Sequence, residues 1–223
     1  MITALLRAAT LLSLSAAPAI AAPSAPAGSA APASLVVAPA RLDTVVFAGG
    51  CFWGVQAVFQ HVRGVVAATS GYAGGTAASP GYEQVSTGST GHAESVRVVF
   101  DPAKVSYEKL LEIFFSVVHD PTELNRQGPD VGTQYRSAVF FTTPAQHQAT
   151  SAYVNALEKS GRFKRPIVTQ IAVLRGFYPA ESYHQDYATL HPDAPYIVYN
   201  DAPKIEALHR QYASLWSDRI AAH

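Results

Sequence analysis

The stretch Thr44-Val45-Val46-Phe47-Ala48-Gly49-Gly50-Cys51-Phe52-Trp53-Gly54-Val55-Gln56-Ala57-Val58-Phe59-Gln60-His61 decides how the rest of the chain is read. Thr44–Ala48 is a short apolar run fit for a buried strand. Gly49-Gly50 breaks it, and Phe52–His61 then has helical spacing, with Phe52, Val55, Val58 and Phe59 on one side. Cys51 therefore falls at a strand-to-helix turn, on the N-terminus of the helix. Two glycines let the backbone turn tightly and approach a ligand. Unpaired N–H groups and the positive dipole end at a helix start favour thiolate, which predicts a lowered pKa and a nucleophile. By position alone Cys51 reads equally well as a buried structural thiol, because free cysteine is among the most buried residue types.

Outward from this unit, Val65–Tyr72 reads as a strand. Ala73–Gly91 is long, Gly-rich and poor in apolar residues, and a connection of that kind in a compact domain is usually functional or disordered. Glu94–Phe100 alternates, with Glu94, Val96, Val98 and Phe100 on one face. Ser106 is placed to cap a helix that continues over Lys109–Val118. Asp120–Gln134 is again turn-rich. Ser137–Phe141 reads as a strand, Pro144–Lys159 as a helix with Pro in its first turn, Pro166–Leu174 as a strand, Ala180–Thr189 as a short helix and Ala202–Ala221 as a helical tail. Strands alternating with helices predict an α/β (α+β) domain spanning 42–223.

Ahead of it, Arg7, the apolar run Ala8–Leu14 and the small-x-small pattern Ala19-Ile20-Ala21 predict a signal peptide over 1–21 and a periplasmic or secreted protein. The apolar run is too short, and too close to Pro18, to span a bilayer. Residues 22–40 contain only Ala, Pro, Ser, Gly, Leu and Val, which makes 22–41 a flexible tether. Sixteen basic residues balance sixteen acidic ones across 223 residues, so no charge excess points to nucleic acid or a membrane surface. Removal of the signal would leave fifteen against sixteen.

Several residues could carry chemistry. The alternation puts the Glu94 carboxyl on the apolar face, where its charged form is disfavoured and its pKa raised, as a general acid at neutral pH requires. A solvated or Arg-paired strand-end Glu is the competing reading. Phe52 and Trp53 could wall an apolar pocket suited to a methyl or thioether group, with one of the two in the core. Tyr72, Tyr82, Tyr135, Asp130 and His184 lie in or beside the turn-rich segments, and tyrosine hydroxyls there could donate to a bound oxygen. His92 reads as a structural hydrogen-bonder. The histidines lack metal-ligand spacing, and neither a dinucleotide fingerprint nor a P-loop is present.

Taken together, Gly49-Gly50-Cys51-Phe52-Trp53-Gly54, Gly71-Tyr72-Ala73-Gly74-Gly75, Tyr82 with Glu83 and Val85, Gly88–Glu94, His119-Asp120-Pro121, Asn125–Ser137 and Phe177–Tyr187 resemble, in order, the A-class peptide methionine sulfoxide reductases. The resemblance runs from about residue 44 to 200. It implies a two-layer sandwich with a mixed sheet and a split βαβ, ferredoxin-like core. It implies reduction of methionine-S-sulfoxide, free or in oxidised proteins and peptides, without metal or organic cofactor. Carried onto this chain, Cys51 attacks the sulfoxide sulfur and becomes a sulfenic acid. Phe52 and Trp53 cradle the methyl group, Glu94 protonates the oxygen, Tyr82 and Tyr135 hydrogen-bond it, and Asp130 helps organise the site.

The departure from that family lies in recycling. Many members carry further cysteines near the C-terminus, and residues 188–223 hold none. The reductant is therefore expected from outside, a thioredoxin-like protein or a dithiol, and a monomer is expected. Three rival functions fit parts of the pattern: a thiol peroxidase using the same cysteine, a Cys-His hydrolase using His92 or His184 as base, and a secreted module that binds oxidised methionine without reducing it.

Overall fold

In the computed structural model, residues 41–78 and 80–223 are described. The expected signal peptide and nearly all of the expected tether lie outside them. The described chain runs β1 (Asp43–Gly49), α1 (Phe52–Gln60), β2 (Val65–Ala73), α2 (Tyr82–Ser86), β3 (Ala93–Phe100), α3 (Tyr107–Ile113), β4 (Arg126–Gln127), β5 (Asp130–Val131), β6 (Ser137–Phe141), α4 (Pro144–Ser160), β7 (Gln170–Val173), β8 (Phe177–Pro179), α5 (Tyr187–Leu190) and α6 (Ala202–Gln211). The expected α/β class holds, built on one six-stranded mixed sheet with helices. Its order is β7-β6-β1-β3-β2-β8, and β4 pairs separately with β5. Only β6 and β7 run parallel; the other neighbours are antiparallel.

β3 pairs with β1 on one side and β2 on the other, so β1 and β2 run the same way with α1 crossing between them. The alternation read along β3 is the one observed: Glu94, Val96, Val98 and Phe100 are all buried, while Arg97 and Val99 are only partly so. Phe47 of β1 stacks on Phe59 of α1 and on Phe114, with ring centroids 5.0 and 4.6 Å apart. These rings belong to the main apolar core, which also takes in Val55, Val58, Leu110 and Leu111. Ser106 caps α3 by accepting from the Lys109 N–H at 3.2 Å, and Thr143 caps α4 by accepting from the Gln146 N–H. The chain after α3 widens into a π-helical turn, Phe114–Val118, and a second one, Ile197–Asp201, leads into α6.

Four expectations need correction. The Gly-rich loop contains α2. The strand expected from Pro166 starts only at Gln170. Ala180–Thr189 is not one helix: β8 and a 3-10 turn, Ser182–His184, precede α5. The Gln185 side chain explains this, because its amide bonds the N–H and C=O of Ser70 and thereby extends the sheet edge, and Asp186 sits at φ 56°, a backbone angle no helix continues through. Finally, the tail is helical only to Gln211, with a 3-10 turn at Ala213–Leu215. Beyond it the Ser217 and Ala221 N–H groups donate to His61 and Gln60, and the Ala68 N–H donates to Ala222. Those extended-chain bonds to the far end of α1 and to β2 replace helix.

Candidate active site

Cys51 occupies the N-cap of α1, as the sequence predicts. Gly50 before it has φ +91°, and a Cβ there would stand 2.6 Å from the Gln127 side chain, so only glycine fits the turn. Cys51 is 8% exposed and opens onto two hollows.

The smaller hollow, about 200 Å³, is lined by Cys51, Phe52, Trp53, Tyr82, Glu94, Asp130, Tyr135 and Tyr196. Every catalytic or substrate-binding candidate thus meets in one cavity, although the residues come from α1, α2, β3, β5 and the 3-10 turn Thr133–Tyr135. Phe52 is fully buried and doubles as core. Trp53 is partly exposed, stacked on Tyr187 with centroids 3.8 Å apart, and its indole N–H donates to His184 Nδ1 at 3.2 Å.

Glu94 is 3% exposed. Its Oε2 accepts from the Phe52 N–H at 3.1 Å, which fixes the carboxyl beside the first residue of α1. Burial pushes its pKa up to about 8, against the opposing pull of that hydrogen bond, with Asp130 and Asp201 adding to the rise. The carboxyl is consequently protonated at neutral pH, with one oxygen holding the backbone and a proton left to donate.

The expectation of a lowered Cys51 pKa is overturned. Burial raises the thiol well above its ordinary value, and negative charge on Glu94, once ionised, or on Asp201 raises it further. The hydrogen bond from the Trp53 N–H and the charge of Lys204 pull the other way and lose. The helix start does act on the sulfur, but an exposed helix end is worth only about 0.3–1 kcal/mol, less than removing a thiolate from water costs. Cys51 rests as a thiol. Neutral Glu94 removes one of the charges that oppose its ionisation.

The phenols of Tyr82 and Tyr135 are pushed up by burial first and by Glu94 next, so both stay protonated and can donate. Tyr82 is positioned from behind: its N–H donates to Glu181 Oε1 at 2.9 Å. Tyr72 is not part of the cavity; its hydroxyl donates to Glu181 Oε2 at 2.8 Å. Asp130 accepts a hydrogen bond from the Tyr196 hydroxyl. His92 is structural, as expected: Nδ1 accepts from the Gly75 N–H, and Nε2 faces the Ala77 carbonyl. His184 spends Nδ1 on Trp53. Accepting from Trp53 at Nδ1 puts the proton of neutral His184 on Nε2, which has no partner, and neither His92 nor His184 lines the cavity at Cys51, which argues against a Cys-His hydrolase. Among the described residues no group of three His, Cys, Asp or Glu side chains could hold a metal ion.

Sequence reasoning missed Tyr196, Asp201 and Lys204. Asp201 is 0% exposed and lies against Gly54, where a Cβ would come within 2.0 Å of its Oδ1. That oxygen also bonds Lys204 Nζ at 3.0 Å, while Oδ2 has no partner. Asp201 two residues before Pro203 reads as a helix cap in sequence, yet its side chain caps nothing. The local signal points away from the site.

The family described as peptide methionine sulfoxide reductase matches residues 43–216. The chain is 54% identical over 177 residues to peptide methionine sulfoxide reductase MsrA 2 of Mesorhizobium japonicum, covering 79% of this chain and 91% of that one. It is 52% identical over 180 residues to MsrA 2 of Synechocystis sp., covering 81% and 82%. Among solved structures it superposes on methionine sulfoxide reductase A of Corynebacterium diphtheriae with TM-score 0.62 at 36% identity, over 70% of this chain and 78% of that one. It superposes on reduced Mxr1 from Saccharomyces cerevisiae with TM-score 0.63 at 33% identity, over 70% and 90%.

Proposed function

The chain belongs to the peptide methionine sulfoxide reductase family, and from that premise we propose that it reduces methionine-S-sulfoxide, in proteins and peptides and as the free amino acid, through Cys51. The observation that carries the mechanism is the buried Glu94 carboxyl, held at a pKa of about 8 in the same cavity as the only cysteine.

Sulfoxide oxygen leaves sulfur poorly as an anion. The substrate methyl group sits against Phe52 and Trp53, and its oxygen faces Glu94, Tyr82 and Tyr135. As Glu94 protonates that oxygen, the substrate sulfur becomes electrophilic enough for the Cys51 sulfur to attack. The thiol proton is released in the same turnover, and Glu94 is reprotonated. In balance, thiol plus sulfoxide gives thioether plus Cys51 sulfenic acid: the substrate sulfur gains two electrons and the Cys51 sulfur gives them up. Asp130, tied to Tyr196, fixes the rim beside the sulfur. With one cysteine in the sequence, an external dithiol or thioredoxin-like protein returns Cys51 to thiol. We further read 1–21 as a signal peptide, 22–41 as a tether and the protein as periplasmic or secreted, and the inner strands with α1 and α3 as a two-layer, split βαβ ferredoxin-like core.

The test is a single turnover without reductant. Mixed with peptides carrying either sulfoxide epimer, the protein is expected to release one equivalent of methionine from the S epimer and none from the R epimer. Dimedone should then label Cys51. Absence of that burst, or faster consumption of hydrogen peroxide than of sulfoxide, would overturn the proposal in favour of a thiol peroxidase.

A further inference from the structure

The second hollow shares Cys51, Asp130 and Tyr196 with the cavity just described, and its other walls have no part in that reaction. It is a groove of about 360 Å³, lined by Cys51 together with His119, Glu123, Gln127, Asn200 and Lys204 among others, and Glu94 is not among its walls. The two π-helical turns flank it, and such turns are frequent at functional sites. We infer that this groove is the path by which the external reducing thiol reaches Cys51, and that Lys204 holds the attacking sulfur there as thiolate.

Lys204 is the one cation among the residues lining the groove. Its side chain is 23% exposed, so it can meet a visitor, and the fully buried Asp201 fixes its Nζ at 3.0 Å. The acidic groups on the same walls are already engaged: Asp120 with Arg165 at 3.2 Å, Glu123 with Arg126 at 3.6 Å, and Asp130 with Tyr196. His119 is neutral; burial lowers its pKa to about 4, and its ring nitrogens face the Phe114 carbonyl and the Ser137 hydroxyl. The Lys204 charge also reaches the Cys51 sulfur itself: burial, Glu94 and Asp201 push that thiol up, and Lys204 is the cation that pulls it down.

The chemistry needs such a cation twice. An incoming thiolate attacks the sulfenic sulfur; the S–S bond forms, the S–O bond breaks, and the oxygen departs with a proton as water. A second thiolate then attacks the outer sulfur of the mixed disulfide, and Cys51 leaves as thiolate, to be reprotonated. Sulfenic acid plus two thiols gives Cys51 thiol, one disulfide and water. Lys204 lowers the cost of the anionic sulfur in both steps.

The inference rests on the reductase reading, and its test separates the two. Cys51 sulfenic acid is first generated with one equivalent of sulfoxide, and the methionine released reports on the reductase reading alone. The second-order rate of its reduction is then measured with dithiothreitol and, in a second arm, with a thioredoxin. Lys204→Met is expected to slow reduction by about tenfold, and Lys204→Arg to restore most of the rate. Because Lys204→Met strands a buried carboxylate, the double variant Asp201→Asn/Lys204→Met is measured too, and the same defect is expected. Loss in both arms, or in one, supports thiolate capture and tells which donor uses the groove. An unchanged rate in the double variant, or a loss that Lys204→Arg fails to rescue, overturns it.

Discussion

The two sides of Cys51 are built differently. On one side the acid and the apolar walls stand on regular elements, Glu94 on β3 and Phe52 and Trp53 on α1, each set by sheet register and helix packing, with Tyr135 added from a 3-10 turn and Asp130 from β5. On the other, Lys204 stands on the first turn of α6, and the remaining walls are the π-helical turns, a loop and the β4–β5 hairpin. The first side offers a neutral acid and no cation; the second offers a tethered ammonium. Proton delivery, which tolerates little misplacement, stands on the rigid frame. Access for a second reactant is left largely to irregular chain, with α6 supplying the ammonium.

The comparison can be broken most severely at the sulfur that both sides share. Cys51→Ser should abolish methionine release altogether while the circular dichroism spectrum and melting temperature stay near those of the parent. Next in size, Glu94→Gln should slow sulfenic acid formation by about 10²–10⁴ in single-turnover kinetics, and leave thiol reduction of a peroxide-generated sulfenic acid near its parent rate. The same carboxyl sets a pH limit, since sulfoxide reduction should fall as pH rises through about 8, where Glu94 loses its proton. Stability should follow with a defined sign. The unfolded chain sheds this proton near 4.5 and the folded chain keeps it to about 8, so folding loses free energy as pH climbs across that window. Glu94→Gln should therefore raise the melting temperature at pH 8 and hardly change it at pH 4. The smallest effects distinguish the tyrosines. Tyr82→Phe and Tyr135→Phe should each cost about tenfold in rate, the worth of one hydrogen bond to a developing charge. Tyr72→Phe, whose hydroxyl serves Glu181 outside the cavity, should stay within about threefold.

The sequence exposes the frame because its signals are periodic. The run before Gly49 and the spacing after Cys51 leave little choice but strand, turn and helix. The alternation from Glu94 places a carboxyl among Val96, Val98 and Phe100. Ser106 caps a helix through its own hydroxyl. The C-terminal third resists such reading because its conformation is imposed from elsewhere: Gln185 is ordered by Ser70, Ser217 and Ala221 by the end of α1, Asp201 by Gly54 and Lys204. The charge state of Cys51 was hidden for a related reason. Position at a helix start can be read from the chain, but burial and the influence of Glu94 and Asp201 come from segments far away in sequence.

The tail bonds have a consequence for what this protein could repair. α1 is only nine residues long; its first turn is tied to Glu94, and its far end is stapled by Ser217 and Ala221. A helix anchored at both ends cannot swing its leading sulfur outward. On the proposed reading every oxidised side chain has to be threaded inward to a stationary reaction point. Methionines on loose termini, surface loops or half-unfolded clients would qualify, while those locked inside another protein's interior would keep their oxygen until that protein opened.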